Sequence, residues 1–229
     1  DVAALERMLS ASTARTKVIV TDGVFSMDGD LAPLPALFEL AERFDAWLVI
    51  DDAHAFGVLG PHGEGSLAHF NLPASPRILL MGTLGKAAGV GGAFVAGSAL
   101  AIDYLLNTGR AYIFTTAAPP ATASAPPATL DRIRSGDTLR RQLFANIARL
   151  RDGLGGLPWT LMPSATAIQP LIVGDNTAAL ALAKALWERG LWVPAIRPPP
   201  VPKGTARLRI SVSAAHTAAD IDQLVSTLK

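Results

Sequence analysis

The sequence contains no cysteine among its 229 residues, which excludes disulfide scaffolds, cysteine-ligated zinc, iron–sulfur clusters and thiol catalysis. It also lacks an excess of either charge, since 20 basic residues stand against 19 acidic ones, and therefore offers little attraction for nucleic acid or an anionic membrane. Apolar runs such as 47–50 and 78–81 are too short to span a bilayer. We therefore expect a cytoplasmic globular protein that binds neither nucleic acid nor membrane.

The chain begins at Asp1, without a methionine and without a basic leader ahead of an apolar stretch. Val2, Leu5, Met8 and Leu9 follow at helical spacing, so the pattern predicts a helix whose N-cap is Asp1. A first residue that already caps a helix leads us to expect that the chain is part of a longer protein.

Strand-like and helix-like segments alternate through the first half, which predicts an α/β fold with a mostly parallel sheet. The predicted strands lie at 17–21, 47–51, 77–81 and 93–96, and a predicted helix carries Leu34, Leu37, Leu40, Ala41 and Phe44 on its apolar face. The nearly continuous apolar run of the second strand is typical of a strand buried on both faces.

The composition changes at the proline pairs 119–120 and 126–127, which predicts two domains, 1–124 and 125–229. The second domain is expected to be small and α+β. Its predicted elements are an arginine-rich helix at 128–154, a strand at 167–173, a helix at 177–189, a proline turn at 198–200, a strand at 206–212 and a closing helix capped by Thr217.

Asp51 and His54 directly follow the predicted strand at 47–51. Ligands of open α/β sheets bind at the carboxyl ends of the strands, and a carboxylate there can hold a buried cation such as a protonated ring nitrogen. Two other interpretations stay open, namely a solvated strand end and a metal site. The metal site is less favoured, because no further ligand follows at motif spacing.

Lysine is scarce, with five lysines against fifteen arginines, and Lys86 is the only lysine between Lys17 and Lys184. It lies in a glycine-rich segment between two predicted strands. Because arginine supplies most positive charge in this chain, a lysine here indicates amine chemistry such as Schiff-base formation. A nucleotide P-loop is excluded, since the glycine spacing is wrong and Ala87 occupies the Ser/Thr position.

Three arginines of the second half could bind a carboxylate with two-pronged geometry. Arg197 precedes the rigid proline turn and is the favoured candidate. Arg207 and Arg209 share one face of the predicted final strand, and solvent exposure is the expectation for both.

The order of Asp51, His54 and Thr83-Leu-Gly-Lys86 resembles the fold-type I pyridoxal-phosphate enzymes, and among them the α-oxoamine synthase branch. The stretches 22–29, 167–176 and 192–199 are similar to the branch members that make 8-amino-7-oxononanoate for biotin. The resemblance extends over essentially the whole chain. It implies a PLP-dependent transferase, represented here by the C-terminal part of the large cofactor-binding domain and by the small domain.

The resemblance also implies a role for each matched residue around the cofactor pyridoxal 5'-phosphate. Lys86 would hold it covalently and then remove the α-proton of the amino acid, and Asp51 would pair with the pyridinium nitrogen. His54 and Ser26 would hydrogen-bond the phenolic oxygen side of the ring, and Thr83 would lie by the phosphate.

For the substrates, the resemblance implies that Arg197 holds the carboxylate of L-alanine and that Pro200 replaces a substrate-contacting threonine. Thr115 or Thr116 matches a segment that reaches the phosphate of the neighbouring subunit, which implies a homodimer. The implied reaction joins a pimeloyl thioester, of coenzyme A or an acyl carrier protein, to L-alanine with loss of carbon dioxide. The alternatives are a sibling activity of the glycine C-acetyltransferase type and a truncated chain that only folds and dimerises.

Some features differ from the pattern of the branch. Asp22 stands where glutamate is common, and Ala55-Phe56 replaces a small Gly-Thr pair after the histidine. A long N-terminal portion of the family, including a histidine that stacks on the cofactor ring, has no counterpart in this chain. These differences bear on acyl-chain specificity more than on cofactor binding.

Overall fold

The structure is a computed structural model that describes residues 1–229, and it divides into two compact units. The first unit comprises Asp1–Val24 and Leu31–Asp137, and the second comprises Phe25–Asp30 and Thr138–Lys229. The domain boundary between residues 124 and 125 stays a prediction; the proline-rich segment that suggested it lies inside the first unit. No helix combines the length and the apolar character needed to cross a bilayer.

A four-stranded sheet with the order β1-β2-β3-β4 forms the centre of the first unit. Its strands are β1 (Lys17–Asp22), β2 (Ala46–Asp51), β3 (Ile78–Thr83) and β4 (Ala93–Ala96). The first three are parallel, and β4 runs antiparallel to β3. All four predicted strands are therefore confirmed, because short apolar runs bounded by turn residues are a strong local signal.

Seven helices accompany this sheet. They are α1 (Val2–Ala11), α2 (Leu34–Arg43), α3 (Ser66–His69), α4 (Ala99–Thr108), α5 (Arg110–Ile113), α6 (Pro120–Ser124) and α7 (Pro126–Arg134). The Asp1 side chain accepts a hydrogen bond from the amide of Ala4 at 2.9 Å, so the predicted N-cap is confirmed. The apolar face of α2 packs towards β2 and buries Leu34, Leu37 and Leu40.

The central strand β2 is less buried than its apolar run suggested. Leu48 and Ile50 have no exposed surface, whereas Trp47 and Val49 are only half-buried. Successive side chains point to opposite faces of a sheet, so one face of β2 is covered completely and the other in part.

The second unit contains an antiparallel sheet with the order β5-β6-β8-β7. Its elements are α8 (Asp137–Gly153), β5 (Thr160–Leu161), β6 (Ile168–Gly174), α9 (Asn176–Trp187), β7 (Ala195–Ile196), β8 (Ala206–Ser211) and α10 (Ala218–Leu228). The predicted cap at Thr217 is confirmed, and Asp220 completes a reciprocal capping box at the start of α10.

The single arginine-rich helix predicted at 128–154 was wrong, because the structure has α7 and α8 separated by Ser135 and Gly136. The Ser135 amide and hydroxyl both donate to the carbonyl oxygen of Asp131, which ends α7. Glycine at the next position is a weak helix former, so the chain restarts at α8 rather than continuing.

Candidate active site

Polar side chains end the three parallel strands at one edge of the first sheet. Asp22 ends β1, Asp51 ends β2 and Thr83 ends β3. Asp22 and Asp51 are direct neighbours in the strand register. Because ligands bind at the carboxyl edge of such sheets, the structure brings these residues to the expected place.

A tight turn after β2 orients the next candidate side chains. The amide of Ala53 donates to Oδ1 of Asp51 at 2.9 Å, and the carbonyl oxygen of Asp52 accepts from the amides of Ala55 and Phe56 at 3.0 and 2.8 Å. The turn therefore fixes the Asp51 carboxylate through Oδ1 and leaves its Oδ2 available to a ligand.

His54 and Lys86 meet although 32 residues separate them in the sequence. Nε2 of His54 lies 3.0 Å from Nζ of Lys86, which is hydrogen-bonding distance. A close backbone approach accompanies this contact, since a Cβ on Gly57 (φ 81°) would lie only 2.5 Å from Cβ of Ala87. The turn and the lysine loop thus pack together only because residue 57 is glycine.

The lysine loop itself is closed by main-chain hydrogen bonds. The amide of Leu84 donates to the carbonyl oxygen of Gly92 at 2.9 Å, and the amide of Val90 donates to the carbonyl oxygen of Leu84 at 2.9 Å. Oγ1 of Thr83 accepts from the amide of Gly85 at 3.2 Å. The hydroxyl of Thr83 therefore lies at the start of the loop that carries Lys86.

Asp22 is a further charged group of this site, and the sequence had singled it out only as a departure from the family. Burial, and to a lesser extent the charge of Asp51, raises the pKa of Asp22, whereas Lys86 lowers it. The three groups therefore influence one another electrostatically.

The raised pKa of Asp22 predicts a pH-dependent gain in stability for Asp22→Asn. An aspartate whose pKa is raised on folding costs no stability below its usual pKa of 3.8, but it costs stability as the pH rises through the folded-state value. The variant should therefore unfold at a higher temperature than the parent at neutral pH, and the difference should vanish in acid. Thermal unfolding at neutral and at acid pH measures this difference in unfolding temperature. Asp103→Asn on α4 is the control, and equal shifts of the unfolding temperature in both variants would contradict the prediction.

The bulk of Phe56, which replaces a small residue of the family, is accommodated within the first unit. Its ring packs edge-to-face on Phe94, with centroids 5.1 Å apart. A Cβ on Gly82 would lie 2.4 Å from the Phe94 ring, so the glycine makes room for this aromatic pair.

Ser26 lies in the segment Phe25–Asp30, which the second unit holds. Nε of Arg209 donates to the carbonyl oxygen of Ser26 at 2.6 Å, and Arg207 donates to the carbonyl oxygen of Met27 at 3.3 Å and to the carboxylate of Asp28. The expected exposure of Arg207 and Arg209 was wrong, because this segment covers their face of β8: Arg207 is 3% exposed and Arg209 is half-buried.

The remaining candidates are exposed. Arg197 and Pro200 lie on the surface of the second unit, and Thr116 follows α5 on the surface of the first. Thr115 is exposed as well, and its hydroxyl donates to the carbonyl oxygen of Ala111. The roles of these four residues stay predictions.

The aminotransferase class I and II family matches residues 1–228. The chain belongs to this family. It is 78% identical to the 8-amino-7-oxononanoate synthase of Dechloromonas aromatica strain RCB over 229 residues, which is all of this chain and 59% of that protein. It is 60% identical to the enzyme of the same name from Herminiimonas arsenicoxydans, again over all of this chain and 60% of the relative. The chain thus spans about three fifths of the length of these relatives.

Solved structures of the family agree with the fold. The serine palmitoyltransferase of Sphingomonas wittichii superposes with a TM-score of 0.93 at 30% identity and covers 100% of this chain and 58% of its own. A variant of the enzyme from S. paucimobilis, solved with pyridoxal phosphate and myriocin, superposes with a TM-score of 0.92 at 30% identity and with the same coverage. The 8-amino-7-oxononanoate synthase of Francisella tularensis superposes with a TM-score of 0.83 at 27% identity, over 98% of this chain and 65% of its own. The predicted α/β fold of fold-type I pyridoxal-phosphate enzymes is confirmed.

Proposed function

We propose that this member of the aminotransferase class I and II family belongs to a protein that condenses a pimeloyl thioester with L-alanine. The reaction releases carbon dioxide and the thiol carrier and yields 8-amino-7-oxononanoate for biotin. The observation that carries the proposal is the 3.0 Å contact between Lys86 Nζ and His54 Nε2, with His54 on the turn whose Ala53 amide binds the Asp51 carboxylate. The relatives named 8-amino-7-oxononanoate synthase support the choice of substrates.

The donor set of this site fits pyridoxal phosphate. Lys86 offers an amine for the aldehyde, His54 offers an imidazole beside it, and Asp51 keeps Oδ2 for a cationic N–H because Ala53 occupies only Oδ1. Thr83 has a hydroxyl at the start of the lysine loop, and its hydrogen, which makes only a long 3.4 Å bond to the Gly92 carbonyl oxygen, could turn to a phosphate.

When bound, the cofactor supplies an electron-accepting ring. In our proposal Asp51 would keep a proton on the ring nitrogen and His54 would hydrogen-bond the phenolic oxygen side of the ring, a role that the family resemblance also implies for Ser26. Nζ of Lys86 would hold the cofactor and would serve as the base for the α-proton of L-alanine. Each of these tasks uses the ordinary chemistry of the side chain concerned.

A cofactor titration of the chain tests the lysine assignment. We expect a visible absorbance band of the covalent lysine–cofactor link in the parent, and no band in Lys86→Ala. Lys184→Ala is the matched control, because Lys184 is an exposed lysine of α9. Borohydride reduction followed by peptide mapping should find the cofactor on Lys86. A band that persists in Lys86→Ala would overturn the assignment.

The substrate choice requires a separate assay in a protein of the relatives' length that contains this chain. Turnover of L-alanine with pimeloyl-CoA, or with pimeloyl-acyl carrier protein, supports the proposal. Turnover of glycine with acetyl-CoA instead would support a sibling synthase. Folding and self-association without either activity would support the non-catalytic alternative.

Two arginines compete for the carboxylate of L-alanine. Arg197 is the residue that the family resemblance implies, and it is exposed. Arg209 is half-buried, pairs with no acidic side chain, and donates to the carbonyl oxygen of Ser26. Burial lowers the pKa of Arg209, so a bound carboxylate would stabilise its charged form.

The two candidates can be separated by kinetics. Replacement by glutamine of the arginine that binds the carboxylate should raise the KM for L-alanine roughly 10- to 100-fold, as expected for the loss of a charge-assisted pair. The same change at the other arginine, or at the exposed Arg149, should leave this KM nearly unchanged. If neither Arg197→Gln nor Arg209→Gln changes it, both assignments are wrong.

We also propose a homodimer in which Thr115 or Thr116 contacts the phosphate bound by the neighbouring subunit. Large apolar side chains around α4 and α5 are exposed, among them Tyr104, Tyr112 and Phe114. Exposed apolar patches of this kind are typical of interaction surfaces. Sedimentation equilibrium measures the association, and a monomer at all concentrations would contradict it. The cytoplasmic location stays a prediction.

A further inference from the structure

The carboxylate of Asp52 is fully buried and has no basic partner. Its oxygens accept the amide of Ser66 at 3.2 and 3.1 Å, and Oδ1 also accepts the Ser66 hydroxyl. Burial raises the pKa of this carboxyl, and the two hydrogen bonds from Ser66 act in the opposite direction. Burying a carboxylate without a cation costs folding free energy, so we expect the Asp52 carboxylate to have a specific structural role next to Asp51.

Two glycines enclose the same carboxylate. A Cβ on Gly23 would lie 2.6 Å from Oδ1 of Asp52, and a Cβ on Gly65 would lie 1.9 Å from Oδ2. Gly65 also has φ of 105°, which side chains rarely tolerate. The carboxylate therefore joins three segments at short range, namely the ends of β1 and β2 and the start of α3.

The main chain of Asp52 continues this connection into the candidate active site. Its amide donates to the carbonyl oxygen of Met81 on β3 at 2.7 Å, and its carbonyl oxygen accepts the two amides that close the turn after β2. The same turn carries the Ala53 amide, which binds Asp51, and the imidazole of His54, which contacts Lys86.

We infer that Asp52 is a positioning residue: its carboxylate, held by Ser66, fixes the turn that orients Asp51 and places His54 against Lys86. The inference rests on the proposed function for its chemical consequence. The side chain of Asp52 itself bonds only to Ser66, so it acts through the turn and not on substrate or cofactor.

The decisive variant is Ser66→Ala, which removes one hydrogen bond on the far side of Asp52 and changes no residue of the turn. Asp52→Asn is the second variant, because its oxygen can still accept at Oδ1 but an amide nitrogen at Oδ2 cannot accept the Ser66 amide. Ser10→Ala is the matched control, since that hydroxyl bonds within the exposed helix α1. Amide hydrogen exchange, measured on the chain without cofactor, reports directly how often the turn opens at the amide of Ala53.

In Ser66→Ala we expect exchange at the amides of Ala53, Ala55 and Phe56 to accelerate about tenfold relative to that of Leu48 in β2, as the loss of one hydrogen bond predicts. We expect the dissociation constant for pyridoxal phosphate to rise by a similar factor. Asp52→Asn should show the same pattern, since it loses the contact of the Ser66 amide with Oδ2, and Ser10→Ala should show neither effect.

Unchanged exchange in the turn, or equal acceleration in the turn and in β2, would overturn the inference, because the second pattern reports only a loss of overall stability. If Asp52→Asn does not fold, Ser66→Ala still decides. If the parent chain binds no pyridoxal phosphate, the prediction that this chain alone holds the cofactor fails, whereas the exchange comparison still decides whether Asp52 fixes the turn.

Discussion

Replacement of Asp51 by asparagine is expected to lower the turnover of L-alanine and pimeloyl-CoA about a thousandfold while the chain stays folded. The asparagine Oδ1 can still accept the Ala53 amide, so the turn after β2 keeps its shape. A neutral amide, however, cannot hold a proton on a ring nitrogen. The loss of such a buried charge pair amounts to about 4 kcal/mol, which corresponds to roughly three orders of magnitude in rate.

Asp22→Asn is the control for this prediction, because Asp22 is the register neighbour of Asp51 on β1 and the chemical change is the same. Its effect on turnover should stay below roughly tenfold, since a nearby charge that makes no direct contact contributes less. Steady-state kinetics in a protein of the relatives' length provides the measurement, and hydrogen exchange verifies the fold. Equal losses in both variants would show that the general charge of the site matters, rather than a specific partner at Asp51.

The sequence was sufficient for the elements that position the site. β1, β2, β3 and β4 are short apolar runs between turn residues, and each of them forms where it was predicted. The succession of strands and helices then places their carboxyl ends at one edge of the sheet. Asp51 and His54 were singled out for this reason, whereas Lys86 was singled out as a rare lysine in a glycine-rich segment. The contact between His54 and Lys86 agrees with that choice.

Long-range packing limited the prediction elsewhere. The alternation of β8 correctly put Arg207 and Arg209 on one face, but it could not show that residues 25–30, far away in the sequence, cover that face. Asp52 was similarly overlooked, because its partner Ser66 lies 14 residues further on and no motif joins them. The two glycines that enclose its carboxylate are also distant in sequence, and they become informative only once the fold is known.

The second large effect is expected for stability, upon replacement of Asp28 by alanine. The Arg207 side chain is 4% exposed and has Asp28 as its only acidic partner. Without Asp28 the buried guanidinium loses its counter-charge. Because the Asp28 side chain is itself 43% exposed, the expected cost lies at the lower end of the range for a broken buried pair, about 3 kcal/mol of unfolding free energy. For a chain of this size the melting temperature should fall by roughly 10 °C.

Asp222→Ala is the matched control, because the Arg149–Asp222 pair is about half exposed on both sides. Exposed pairs contribute little, so this variant should unfold close to the parent temperature. Urea and thermal unfolding of both variants measure the difference. If Asp28→Ala unfolds like Asp222→Ala, the carbonyl oxygens of Met27 and Thr205 and the Thr205 hydroxyl suffice to hold Arg207. The segment that carries Ser26 would then be fixed by the arginine hydrogen bonds to its carbonyl oxygens, and the ion pair would not be required to place it.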